Sequence, residues 1–194
     1  NIKMELFIIG IISYLMGSIP FGLILTKFFL KKDIREIGSG NIGATNVLRS
    51  GNKLIGYLTL LLDVLKAIIP VIYIKFNHPE LIYISSLSVF LGHVFPLWLK
   101  FKGGKGVATY VGILFSINLI YGFIFCISWL LTFFLSKYSS LSSLIASLIV
   151  PVYLFLVNGE KIFFYIILFV LIFYTHRENI KRLKNKEESK SKIY

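Results

Sequence analysis

The residues best suited to chemistry lie in one short stretch, Gly38-Ser39-Gly40-Asn41-Ile42-Gly43-Ala44-Thr45-Asn46-Val47-Leu48-Arg49. Gly38, Gly40 and Gly43 have the spacing G-x-G-x-x-G. A dinucleotide fold does not follow, because no strand pattern precedes the stretch and a βαβ unit has no room around it. A Walker loop does not follow either, since Ala44 stands where that motif needs Lys. The physics shared by such loops remains: glycines permit close approach and turn backbone N–H groups onto an anion. Ser39, Asn41 and Thr45 add short donors, and Arg49 adds a planar fork that fits phosphate. The plainer alternative is a flexible turn at a membrane surface with one arginine that sets topology.

A second stretch, Phe101-Lys102-Gly103-Gly104-Lys105-Gly106-Val107-Ala108-Thr109, places Gly103, Gly104 and Gly106 around Lys105, just before an apolar run. Gly-rich backbone, a lysine and a helix N-terminus make a second anion cradle. A positively charged loop that merely breaks two helices is the competing reading.

His176 and Asn179 are three residues apart and share a face if the chain is helical there. An imidazole so placed could orient a hydroxyl or move a proton; an ordinary polar end to a span is the alternative. In Tyr138-Ser139-Ser140-Leu141-Ser142-Ser143 the serines are expected to cap a helix, or else to reach the same cavity. His93, within Gly92-His93-Val94-Phe95-Pro96, reads as a satisfied buried residue rather than a ligand. Asp63 and Lys66 fall on one helical face, where a structural ion pair is at least as good a reading as a functional one. No metal site is expected: His78, His93 and His176 show no paired spacing, and Cys126 is the only cysteine.

The elements that must position these residues are membrane helices. Hydrophobic residues make up 56 % of the 194 and charged residues only 15 %, with mean hydropathy +0.80. Soluble domains carry about 25 % charged residues, so soluble, disordered, collagen-like and disulfide-scaffold classes are excluded. The net charge of +12 does not indicate nucleic acid, because the basic residues sit between and after apolar segments. Spans are expected at 4–26, about 54–73 and about 81–99, with further apolar runs at 107–135, 141–157 and 162–175. The first run lacks a signal-cleavage site and reads as a retained helix; the chain begins at Asn1, and Met4 is a candidate start.

The run 107–135 is ambiguous. As one helix it would be about 43 Å long, against the ~30 Å of a bilayer core. The positive-inside rule resolves it. Loops 31–53 and 100–106 and the tail from His176 are all basic, so an even number of spans must separate the second loop from the tail. A break near Ser116-Ile117-Asn118 supplies it, leaving 16 basic residues inside and Lys3, Lys75 and Lys161 outside. The expectation is an all-α, polytopic integral membrane protein with seven helical segments. Its N-terminus is outside and its C-terminus cytoplasmic, in one domain over 1–194 with a tail frayed from about Lys184. All the polar clusters then face one side.

At this point a family resemblance is evident. Gly17-Ser18-Ile19-Pro20-Phe21-Gly22, Asp33-Ile34-Arg35, and the stretches 38–49, 92–109 and 176–183 follow an order and spacing that resembles the PlsY-type glycerol-3-phosphate acyltransferases of bacterial membranes, over nearly the whole chain. The resemblance implies transfer of a fatty acyl group from a long-chain acyl phosphate to the 1-hydroxyl of sn-glycerol 3-phosphate. Lysophosphatidate and inorganic phosphate would result, as the first step of phospholipid synthesis. It also implies seven helices in the bacterial inner membrane with the active site on the cytoplasmic side, in agreement with the topology above.

By motif, Ser39 and Arg49 would contact substrate phosphate, with the backbone of 38–45 lining the anion site: Gly38, Gly40, Asn41, Gly43 and Thr45. Lys105 would bind phosphate, Gly103, Gly104 and Gly106 would shape the acyl-phosphate site, and the aromatic spans would supply the acyl groove. His176 and Asn179 would hold glycerol 3-phosphate, with Ser143 an added contact, while His93 and Glu178 look structural. The tail departs from the family pattern, with Lys186 where a glycine is usual and Glu187 or Glu188 left to replace the usual acid. Neither is assigned a role.

Acyl phosphate is already activated, so alignment, neutralisation of two phosphates and stabilisation of the oxyanion suffice. Direct attack without an acyl-enzyme is expected, with His176 or an oxygen of the donor's own phosphate as base. No cofactor, metal or nucleic acid is implied. Membrane lipid is the surroundings, and docking of a soluble enzyme that makes acyl phosphate is left open. A coenzyme-A-dependent His-x4-Asp enzyme does not fit, because Trp98 and Lys181 stand where the Asp would be. A transporter for an organic phosphate would suit Asp63, Lys66 and the broken segments, but no polar set is expected on the opposite face.

Overall fold

The computed structural model describes residues 2–191; Lys192, counted above in the basic tail, lies outside the described residues. Among the described residues the chain forms ten helices: α1 Ile2–Gly17, α2 Phe21–Leu30, α3 Ala44–Arg49, α4 Lys53–Asn77, α5 Ile82–Val94, α6 Val107–Ile117, α7 Leu119–Ser136, α8 Ser139–Leu156, α9 Ile162–Thr175 and α10 Arg177–Lys184. Three short 3-10 turns join them, and no strand occurs among the described residues. Among the described residues five stretches are long and apolar enough to cross a membrane, or six if α9 and α10, bent by 61°, count as one. The helix α6 is apolar but has 11 residues, about 16 Å at 1.5 Å per residue, and does not reach across a ~30 Å core alone. The chain separates into two compact units, meeting in sequence at Ile117 and Asn118.

In the first unit α1 and α5 run parallel and close. Ser13 and Ser85 hydroxyls are hydrogen-bonded at 2.8 Å, and a Cβ on Gly17 would collide with the Val89 backbone. The helix α4 runs against both, with Ile74 packed on Ile9 and Leu81 at one end and Lys66 reaching Ile19 further along. The helix α6 lies along α4 in the same direction: Thr109 meets Asp63 near its start, and Lys75 meets Ser116 near its finish. The loops following α2 and α5 therefore lie at the same end of this unit. These are the loops that carry the two glycine stretches.

The first expected span is not one helix. It breaks at Ser18-Ile19-Pro20, because Pro20 cannot donate to the helical ladder. The freed carbonyls find donors: Trp98 Nε1 donates to Ser18 O at 3.0 Å, and Lys66 Nζ donates to Ile19 O at 2.8 Å. The two pieces together still form a 28-residue apolar stretch, Lys3–Leu30.

The break expected near 116–118 is present. Asn118 caps α7 by accepting the Ile120 N–H at 2.9 Å, and Lys75 Nζ donates to the last carbonyls of α6, Ser116 O at 2.9 Å and Ile117 O at 3.0 Å.

In the second unit α7, α8 and α9 pack in sequence. Tyr121 meets Tyr153 and Tyr165 edge-on at one end. At the other, Trp129 Nε1 donates to Ser143 Oγ at 3.1 Å. The serines at the start of α8 do not cap it as expected. Ser142 and Ser143 hydroxyls instead donate back to the Tyr138 and Ser139 carbonyls. The tail is not frayed to its end. Glu188 is buried, and the Ser191 N–H donates to Lys137 O at 2.9 Å.

Candidate active site

The first glycine stretch is organised by a residue to which its sequence motif assigned no role. Asn46, on α3, is buried. Its side-chain N–H groups donate to Ile34 O at 3.2 Å, Ile37 O at 2.9 Å and Asn41 O at 2.9 Å. Its oxygen accepts the Ser39 N–H at 3.0 Å. Gly38 has φ +58°, and a Cβ there would strike the Asn46 oxygen, so the position requires glycine on both counts. Asn46 thus ties the loop bearing Ser39 to the helix bearing Arg49.

The amides of Ser39, Gly40 and Gly43 are engaged inside the loop, on Asn46 Oδ1, Ile37 O and Asn41 Oδ1. These three N–H groups hold the loop's shape, and an anion would be met by its outward groups. The side chains of Ser39, Thr45 and Arg49 are exposed, with Arg49 at the end of α3.

Asp33 anchors the base of this loop. It accepts from Arg35 through both oxygens, at 2.9 and 2.6 Å, and lies 3.2 Å from Lys27. The hydrogen bond from the Arg35 side chain, with further help from Lys27, holds its carboxyl well below the usual carboxylate range. Arg35 is thereby paired with Asp33.

The second glycine stretch is clipped to the end of α5. Gly103 N–H donates to Val94 O and Gly104 N–H to His93 O, each at 3.0 Å. Gly104 lies flush on the His93 ring, and a Cβ there would collide with Nε2. Lys105 follows at half-burial, and Gly106 opens α6, its carbonyl accepting the Tyr110 N–H at 2.8 Å. Both glycine stretches, with Arg49 and Lys105, are therefore presented at one end of the first unit.

In the second unit α9 stops at Thr175 and α10 turns away; His176 stands at the N-cap of α10 and Asn179 lies in its first turn, three residues on. His176 sits at the corner, buried. Its Nδ1 is 2.8 Å from Ile172 O. A carbonyl can only accept, so Nδ1 carries the proton and a neutral ring keeps Nε2 as the acceptor. Asn179 is also buried and donates to Glu188 Oε1 at 2.7 Å. Glu188 further accepts from Ser140 at 2.8 Å and Arg182 at 2.7 Å. Burial raises the Glu188 carboxyl, but the hydrogen bonds from Arg182, Asn179 and Ser140 outweigh it and hold it below the usual range.

Glu188, the buried partner of Asn179, is a residue to which the sequence assigned no role. The contact from Ser140, 48 residues away, has no local signature. Ser143, expected as a substrate contact, is buried and already hydrogen-bonded to Trp129 and Ser139. Glu178 is exposed. Among the described residues no group of three His, Cys, Asp or Glu side chains could hold a metal ion.

The family model described as glycerol-3-phosphate acyltransferase matches residues 7–186. A glycerol-3-phosphate acyltransferase of Pelagibacter ubique (strain HTCC1062) is 71 % identical over 191 residues, covering 98 % of this chain and 100 % of that protein. One from Bradyrhizobium diazoefficiens is 50 % identical over 182 residues, 93 % of this chain and 92 % of its own. Two crystal structures of PlsY, an integral membrane glycerol 3-phosphate acyltransferase, are 36 % identical and cover 97 % of this chain and 96 % of theirs. The glycerol 3-phosphate form superposes with a TM-score of 0.92 and the lysophosphatidic acid form with 0.88. With these matches spanning nearly its whole length and its several apolar helices, the chain belongs to the PlsY-type family of multi-pass membrane glycerol-3-phosphate acyltransferases.

Proposed function

We propose that the chain moves a fatty acyl group from a long-chain acyl phosphate to the 1-hydroxyl of sn-glycerol 3-phosphate, giving lysophosphatidate and inorganic phosphate. The observation that carries this reading is the presentation of two glycine stretches at one end of one unit, one with Arg49 and one with Lys105. A reaction between two phosphate-bearing molecules needs two such cradles. The relatives solved in glycerol 3-phosphate and lysophosphatidic acid forms support the acceptor and the product.

In this reading Ser39 and Arg49 take a substrate phosphate at the loop 38–45, and Lys105 takes one at Gly103, Gly104 and Gly106. His176 and Asn179 hold glycerol 3-phosphate. The mixed anhydride is attacked directly, with no acyl-enzyme. The hydroxyl oxygen bonds to the carbonyl carbon, the carbon–oxygen bond to phosphate breaks, and the hydroxyl proton leaves to a base. His176 Nε2 suits that base, since Nδ1 is committed to Ile172; an oxygen of the donor's phosphate is the alternative. Positioning and electrostatic neutralisation supply the catalysis, without metal or nucleotide.

The basic loops set the orientation. The seven apolar segments lie in the inner membrane with the N-terminus outside, and the glycine stretches and C-terminus cytoplasmic.

The test is to incubate purified protein with palmitoyl phosphate and glycerol 3-phosphate, without coenzyme A and with a chelator, and to measure lysophosphatidate. A parallel reaction contains palmitoyl-coenzyme A. Product from the acyl phosphate alone is expected. Product only from the thioester refutes the donor, and none from either refutes the reaction and favours transport of an organic phosphate.

A further inference from the structure

We propose that Asp63 and His93 are positioning residues for Lys105, supporting the glycine loop that carries it from inside the helix bundle. The inference rests on the reading in which Lys105 binds a substrate phosphate.

Asp63 and Lys66 are both about 3 % exposed, 2.8 Å apart, in the middle of α4. Two charges this deep carry a desolvation cost that apolar side chains would avoid, and ionisable residues inside a membrane span point to function by default. Lys66 has a visible use, since it donates to the carbonyl of Ile19 at the break between α1 and α2. Asp63 has a second neighbour. His93 Nδ1 lies 3.9 Å from Asp63 Oδ1, outside hydrogen-bond range but close for a carboxylate and an imidazole edge. No hydrogen-bond partner is present for His93 Nδ1 among the described residues.

The opposite edge of the same ring is the floor of the loop. Its Nε2 faces Gly104 so closely that no Cβ fits between them. The backbone of the same histidine accepts the Gly104 N–H. His93 therefore touches Gly104 twice, once through its carbonyl and once through its ring, and Gly104 precedes Lys105. The ring is oriented with its Nδ1 edge inward, toward the Asp63 carboxylate. A ring that rocks moves Gly104, and Lys105 moves with it. The chain of contact is Lys66 to Asp63, Asp63 to His93, and His93 to Gly104, all within one unit.

The experiment uses the full chain in detergent, steady-state kinetics with palmitoyl phosphate and glycerol 3-phosphate varied separately, and thermal unfolding of each variant. Asp63→Asn keeps the shape and removes the charge; His93→Phe keeps an aromatic ring and removes both ring nitrogens. Each is expected to raise KM for one phosphate substrate about tenfold while kcat changes less than about threefold, the pattern of lost binding rather than lost fold. The double variant should be no worse than His93→Phe alone, because one support has been removed twice.

A second cycle stands even if Asp63→Asn does not fold. Gly104→Ala should be strongly impaired in the wild-type background and nearly silent in a His93→Ala background, where the ring it collides with is gone. Unchanged KM in both single variants, KM losses that add in the double, or an equal Gly104→Ala loss in both backgrounds overturns the proposal. Lys105→Ala and the wild type separate it from the reading beneath. An inactive wild type, or a fully active Lys105→Ala, brings down both. A dead Lys105→Ala beside unaffected Asp63 and His93 variants brings down only this one.

Discussion

The side-chain oxygen of Asn46 accepts the backbone N–H of Ser39 at 3.0 Å. The amide nitrogen of the same side chain serves three loop carbonyls. One buried residue thus fixes both the loop of Ser39 and the helix of Arg49. Asn46→Ala should cost roughly 2–4 kcal/mol locally, at about 1 kcal/mol net per lost hydrogen bond. Asn46→Asp should be worse still, because it keeps the acceptor for Ser39 but turns a carboxylate oxygen toward three carbonyls. Acyl transfer should fall at least about tenfold in both, with the larger loss in the Asp variant. An Asp variant as active as the wild type would show that the clamp is not needed.

Arg49 and Lys105 sit on different loops at one end of the same unit. Arg49→Ala and Lys105→Ala should each remove most activity, on the order of a hundredfold or more, since hydrogen bonds to charged groups contribute about 1.5–3 kcal/mol each. Thermal unfolding should stay close to wild type. Arg49→Lys should recover little, because a point charge cannot make the guanidinium's paired contacts. Measuring kcat and KM for both substrates checks the assignment; near-full turnover by either alanine variant would remove that residue from the site.

Much of this architecture is legible in the sequence. The break at Ile117 and Asn118 is legible from length and charge together, because 107–135 is longer than one crossing needs and the basic loops ask for an even number of spans after it. The glycine stretches were legible because closely approaching backbone leaves a compositional trace. The break at Ser18–Pro20 was written in the sequence as a proline but masked by unbroken hydrophobicity on both sides. The turn at His176 was masked by helical spacing that continues through it. Glu188 was invisible for a different reason. Its partners Ser140, Asn179 and Arg182 come from two helices and are joined only by folding, so no local pattern marks this tail carboxylate as buried.

Lys75 donates to the last two carbonyls of α6. Helix ends leave such carbonyls without partners, and in a membrane each must find one. Lys75→Met retains the apolar stem and removes the donor. The contact is partly exposed, so the loss should be modest, about 1–2 kcal/mol, or a few degrees in the unfolding midpoint. Activity per folded molecule should be unchanged. A midpoint equal to the wild type would show that these carbonyls have an equivalent partner.

Glu188 gathers Asn179 and Arg182 of α10 and Ser140 of α8. Burial raises its carboxyl, but the three hydrogen bonds prevail and hold it below the usual Glu range. A carboxyl lowered on folding adds stability that is fully present above its unfolded value of about 4.3 and is lost as pH falls through the lower folded value. The docking of the tail should therefore be constant at neutral pH and weaken only under acid. Glu188→Gln keeps the shape but loses the charge that Arg182 meets. It should make the wild-type acid transition disappear and leave the tail as loosely held at pH 7 as the wild type is under acid. Proteolysis of the tail against pH would read this directly. Because Asn179 is one of the groups held, glycerol 3-phosphate KM should rise with the loosening; a Gln variant with unchanged protection and unchanged KM would show that the carboxylate holds neither tail nor asparagine.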